Sequence, residues 1–166
     1  MAGQIVAVIA LIISILSLGL SVYFWRRQFR PLITVAVKTA AAGNVSIAFN
    51  LLVKNSGSLP AKNIKLSANQ SDLEQAFGND ATEENKNRWL AAFNEENLIP
   101  ILQNDESIAC SFGLSRPSDK GFWKYEATLS VTVDYYGWFG YHYNETQKIK
   151  FVNSDSFTGF QWGNGS

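Results

Sequence analysis

The 166-residue chain is short of the residues that carry most protein chemistry, with one Cys (Cys110), one His (His142) and no net charge, 14 Lys and Arg standing against 14 Asp and Glu. A single Cys excludes an intrachain disulfide framework. One Cys and one His cannot assemble a zinc-ligand set or a nucleophile, base and orienter pattern, so no metal, cofactor or catalytic residue is expected. The charge balance excludes the basic face that phosphate contacts demand, so no nucleic-acid partner is expected either. Phosphate loops, dinucleotide fingerprints, Cys-x-x-Cys and His-Glu-x-x-His are all missing. The carboxylate pairs Glu83/Glu84 and Glu95/Glu96 are sequence neighbours. On a helix such neighbours point about 100° apart, a poor geometry for acid/base work. His142, between Tyr141 and Tyr143, reads as an ordinary polar residue of a hairpin.

Charge is also missing altogether from residues 1–25. From Ile5 to Trp25 the chain is apolar apart from Ser14, Ser17, Gly19 and Ser21. At about 1.5 Å per residue this run is long enough to cross a hydrocarbon core of roughly 30 Å. Its Leu, Ile, Val and Phe residues favour insertion by about 4 to 8 kcal/mol. A cleaved signal peptide is the rival reading, but it calls for a basic n-region, and no Lys or Arg precedes the run. The run ends in Tyr23, Phe24 and Trp25 followed by Arg26, Arg27 and Arg30, an aromatic belt and a basic cluster suited to a membrane interface. The expectation is a single-pass helix over residues 1–25 and a basic juxtamembrane segment over 26–30. The basic cluster predicts an N-terminus outside and a C-terminal domain in the cytoplasm. The alternative is an extracytoplasmic domain, towards which the sequons at Asn44, Asn69 and Asn144 point.

Within the apolar run, Gly3, Ala7, Ala10, Ser14, Ser17 and Ser21 are spaced 4, 3, 4, 3 and 4. That spacing draws one stripe of small residues along a helix. In lipid, helices associate through close backbone approach, which such a stripe permits, so a second transmembrane helix is the expected partner, from another subunit or a second copy, alongside membrane lipid.

From Pro31 onward the pattern changes to alternation. Ile33, Val35 and Val37 begin it; Val45 to Val53 and Ile108, Cys110, Phe112 and Leu114 continue it, with Cys110 read as a small buried hydrophobe. The longest case runs from Trp123 to Tyr136, apolar and polar in strict turn. With Asn63–Ala68, Leu98–Leu102 and Tyr141–Val152, about seven strands are expected, which suggests an immunoglobulin-like antiparallel β-sandwich over residues 31–152. An insertion at about 71–96 carries two helix-start patterns, Ser71-Asp72-Leu73-Glu74 and Asp80-Ala81-Thr82-Glu83, with Gly78 as a stop and a second helix reaching about Asn94. Between Asp72 and Glu106 nine acids face two bases, either a solvated face or a docking surface for a basic loop.

The order of apolar helix, Arg30-Pro31-Leu32-Ile33-Thr34-Val35-Ala36-Val37, then Leu52-Val53-Lys54-Asn55-Ser56-Gly57-Ser58-Leu59-Pro60-Ala61-Lys62-Asn63-Ile64 resembles a loose group of bacterial membrane-anchored Ig-like sandwich proteins. The late Val133-Asp134-Tyr135-Tyr136-Gly137 fits the same pattern. The shared motifs are structural and carry over no catalytic or ligand residue. The acidic insertion and the tail at 153–166 lie outside the resemblance.

Two aromatic groups complete the candidates. Tyr135, Tyr136, Trp138, Phe139, Tyr141 and Tyr143 crowd around Gly137 and Gly140 at a hairpin, and Trp138 and Phe139 occupy its turn. They are candidate partner contacts, with self-packing, sugar stacking and headgroup insertion as alternatives. Phe157, Phe160 and Trp162 in the tail are candidates of the same kind. The function expected is a non-enzymatic accessory or adaptor subunit of a membrane complex; the alternative is a surface-exposed sandwich binding a ligand such as a carbohydrate.

Overall fold

A computed structural model describes residues 2–155 of the chain, and the three aromatics of the tail fall outside them. The chain divides into two compact units with the boundary between Arg30 and Pro31. The first unit is a continuous helix, α1 (Ala2–Gln28). It is apolar on every side, and its large side chains from Ile5 to Trp25 are all exposed. A helix of this kind belongs either in a protein core or in a membrane. Residues Gly3–Arg26 are long and apolar enough to span one.

The second unit is mainly β, with seven strands in two antiparallel sheets around a shared core. In chain order these are β1 (Ile33–Ala42), β2 (Ile47–Asn55), β3 (Ala61–Ala68), β4 (Ile99–Leu102), β5 (Ser107–Ser115), β6 (Thr128–Gly137) and β7 (His142–Lys150). One sheet has the order β1-β2-β5 and the other β4-β3-β6-β7. The alternation that sequence analysis relied on is the burial pattern itself: Ile33, Val35 and Val37 of β1 point inward, as do Leu129, Val131, Val133 and Tyr135 of β6. Burying each such side chain contributes about 1.5–3 kcal/mol.

The insertion between β3 and β4 holds two short helices, α2 (Gln70–Ala76) and α3 (Glu83–Trp89), followed by a 3-10 turn at Ala91–Phe93. Both helix starts lie near the expected places with different caps. Asn69 accepts from the Ser71 amide, and Thr82 accepts from the Asn85 amide. The second helix stops at Trp89, short of Asn94. Leu73 and Ala76 are buried, and Phe77, Trp89, Leu90 and Phe93 pack half-buried on the same core.

Three expectations need correction. The alternation from Trp123 to Tyr136 is not one strand: β6 starts at Thr128, and Glu126 takes a left-handed φ of 65° in a turn where the Ala127 amide bonds the Lys124 carbonyl at 3.3 Å. Trp123 is wholly buried, but it pairs with Phe77 in an isolated bridge and not in β6. Val45 lies in the β1–β2 turn with 71% of its surface exposed, so β2 begins two residues later. Cys110 is exposed. It shares the inward phase of its partner, buried Leu51, yet β5 is an edge strand and its residues Ser107–Ser111 are exposed.

Further along β5 the register slips. Ala48 faces Leu114 while Asn50 faces Ser111, a bulge that leaves Phe112 and Gly113 opposite Phe49. Gly113 has φ of 77°, and a Cβ there would sit 3.0 Å from the Phe122 ring and 3.1 Å from the Trp123 indole nitrogen. The missing side chain lets Trp123 lie on the strand and donate its indole N–H to the Phe112 carbonyl. Phe151 stacks on the indole at 4.3 Å, Phe122 meets it edge-on at 4.7 Å and Phe112 lies 5.0 Å away.

Candidate interaction surfaces

Because α1 is unbroken from Ala2 to Gln28, the 4, 3, 4, 3, 4 spacing puts Gly3, Ala7, Ala10, Ser14, Ser17 and Ser21 on one stripe of it. The Ser14 hydroxyl donates to the Ala10 carbonyl at 2.9 Å, so its polarity is satisfied inside the helix and what it offers a neighbour is small size. Tyr23 and Trp25 are exposed near the C-terminal end, Arg26 and Arg27 fall in the last turn, and Arg30 lies two residues beyond the helix.

The β unit begins at Pro31, which is buried, and its surroundings are tightly bonded. Asn55, fully buried at the end of β2, accepts from the amides of Leu32 at 3.2 Å and Gly57 at 3.0 Å and donates to the carbonyls of Leu59 at 2.8 Å and Leu102 at 3.1 Å. The Ser56 amide bonds the Leu32 carbonyl at 2.9 Å. The Tyr135 hydroxyl donates to the Pro31 carbonyl at 3.4 Å. One Asn therefore ties together the start of β1, the β2–β3 turn and the end of β4. In the sequence this segment reads only as a turn, because the partners of Asn55 lie up to 47 positions away.

The aromatic hairpin stands at the same end. Gly137, paired with Ala61, lies so close to Pro31 that a Cβ on it would be 3.5 Å from the proline Cδ. Of the hairpin aromatics, Tyr135 is buried and stacks on Tyr143 at 5.1 Å. Tyr136, Trp138, Phe139 and Tyr141 are exposed, Phe139 by 55%. The ammonium of Lys62, on β3, sits 3.9 Å above the Trp138 ring. His142 contacts Asp134 at 2.7 Å. Partial burial works to raise the Asp134 pKa, but hydrogen bonds from Asn144 and His142 together hold it below its ordinary value.

The two margins of the domain differ. On the β1–β7 side, Gln147 bonds the edge of β1 at both ends of its amide, accepting from the Val35 amide at 2.9 Å and donating to the Ile33 carbonyl at 2.6 Å. Ser154 adds a reciprocal pair with Thr39, both at 2.8 Å. On the β4–β5 side an apolar cleft of about 230 Å³ opens between the sheets, lined among others by Leu51, Val53, Leu98, Ile108 and Cys110. Although Cys110 is exposed, partial desolvation by the cleft walls pushes its thiol up, away from the reactive thiolate. The one trace of this bond in the sequence is a polar residue, Gln147, on the phase of β7 that also carries Ile149.

At the end of the domain opposite Pro31, the β1–β2 turn and the segment after β5 border an open cavity of about 440 Å³ with Arg116, Asp119 and Tyr125 in its wall. The acidic insertion is partly bonded: Ser130 donates to Asp72 through its amide at 3.2 Å and holds that carboxyl below its ordinary pKa, and Lys86 meets Glu83 at 2.8 Å. Further along, Lys54 lowers the Asp105 pKa from 2.7 Å. No group of three or more His, Cys, Asp or Glu suited to a metal occurs among the described residues.

A family model described as a domain of unknown function, DUF8453, matches residues 1–153. The chain belongs to this family. The match takes in the apolar helix, all seven strands and the acidic insertion, and ends just where the tail begins. No curated protein and no solved structure matches the chain.

Proposed function

We propose that this DUF8453 chain is a non-enzymatic accessory subunit of a membrane protein complex, held by one transmembrane helix, with its β domain on the cytoplasmic side. The observation that carries the reading is the small-residue stripe on a continuous helix that is apolar all round. Such a helix needs lipid or a protein core around it, and the stripe gives it one face where another helix approaches closely. Arg26, Arg27 and Arg30 favour a cytoplasmic domain. The strand orders β1-β2-β5 and β4-β3-β6-β7 support an immunoglobulin-like connection of the two sheets, a scaffold that serves binding in many settings.

Co-purification from mild detergent tests it. Ser14→Leu or Ser17→Leu is expected to strip partners from the chain, whereas Ile12→Leu and Leu16→Ile, away from the stripe, leave them bound. Equal losses on both faces defeat the reading. A second reading, an outward-facing ligand-binding domain, draws on the 440 Å³ cavity. Protease added to right-side-out vesicles separates the two: the domain survives under the first and is digested under the second.

A further inference from the structure

We infer that the β6–β7 hairpin tip is a membrane-interface anchor, with Trp138, Phe139 and Tyr141 lying in the phospholipid headgroup layer and Lys62 beside them. This rests on the reading of α1 as a membrane anchor. Three observations lead to it. Gly137, at the base of the tip, lies against Pro31, the residue at which the β unit begins and the third in sequence after the end of α1. Within the β unit the tip therefore stands at the end that carries Pro31. Leu32, next along the chain, is bonded to both Asn55 and Ser56, so this end of the β unit is held firmly.

The second observation is chemical. Trp138 is 49% exposed, Phe139 55% and Tyr141 45%, while Tyr135 on the same strand is fully buried. Trp and Tyr at the ends of membrane segments settle at the headgroup level, where an apolar ring and a polar edge are both satisfied. The third is charge. The Lys62 ammonium sits 3.9 Å over the Trp138 ring, which sets a positive charge beside the exposed aromatics, where lipid phosphates would meet it. Aromatic rings beside a lysine, at the end of the domain where the chain enters from α1, suit a lipid surface.

The test uses the full chain in vesicles of phosphatidylcholine and phosphatidylglycerol whose acyl chains are brominated near the headgroup. The chain has five Trp. Changing Trp25, Trp89 and Trp162 to Phe leaves Trp138 and the fully buried Trp123, whose unchanged emission also reports that the domain is folded. Subtracting the spectrum of the same variant carrying Trp138→Phe isolates Trp138. Its emission is expected to be blue-shifted and to fall about twofold on bromination. A parallel variant that keeps Trp25 in place of Trp138 reports on the anchor. Quenching of Trp25 without quenching of Trp138 overturns the inference and leaves the anchor standing. A blue-shifted but unquenched Trp138 also overturns it, because protein then covers the tip. No quenching at either position overturns both readings.

Discussion

The molecule contains two aromatic groups of similar make-up and opposite fate. Around Trp123, the rings of Phe77, Phe112, Phe122 and Phe151 meet within 4.3–5.6 Å. At the β6–β7 tip, Trp138, Phe139 and Tyr141 stay on the surface. Glycine explains part of the difference, and it works in opposite directions. Gly113 lacks the side chain that would fill the space of the Trp123 ring, and Gly121 passes so near β5 that a Cβ on it would lie 2.6 Å from the Leu114 carbonyl oxygen. At the tip, Gly140, with φ of 80° and nothing within 4 Å of its missing Cβ, only turns the chain. Aromatic density alone therefore does not distinguish a core from a surface; what lies over the rings decides.

That contrast can be broken from either side. The largest effect is expected from Trp123→Ala, which removes the hub of the buried group and its bond to the Phe112 carbonyl; stability to urea should fall by about 3–5 kcal/mol. A cost under about 1 kcal/mol would mean that the rings do not form a core.

A smaller effect is expected from Asp72→Ala. Its carboxylate accepts from Ser130 and holds α2, next to which Phe77 reaches the Trp123 indole, against β6. The Asp72 pKa is lowered in the fold, so its stabilisation is complete above the unfolded-state pKa and is lost as the pH falls through the lower folded value. Amide exchange in α2 should therefore be faster in the variant at neutral pH, and the gap should close in acid. A gap that is unchanged in acid would remove the charge from the explanation.

The smallest effect belongs to Trp138→Ser combined with Phe139→Ser, for which unfolding should shift by no more than about 0.5 kcal/mol because the rings are exposed. A large loss would make the tip a second core.

Strands β1, β2 and β6 were legible because one face of each meets the core and the other does not, so burial writes itself into alternation. The same signal misled between Trp123 and Ala127, where a turn through Glu126 keeps the alternation by coincidence of composition. Exposure of Cys110 could not be read, since its phase points inward and only the edge position of β5 leaves it uncovered. Asn55 and Gln147 escaped for a related reason: their amides bond backbone groups up to 47 and 114 positions away, and no local pattern records such partners. The small-residue stripe was fully legible because a helix maps sequence spacing directly onto a face.

Gln147 and Ser154 occupy backbone groups of β1 at Ile33, Val35 and Thr39, and Trp123 covers the far half of β5. At the other margin of that three-stranded sheet the run Ser107–Ser111 of β5 is exposed. A strand arriving at this sheet would thus meet side-chain caps along β1 and open residues only where β5 begins, which makes Ser107–Ser111 the place where a charge or a proline would best guard the edge.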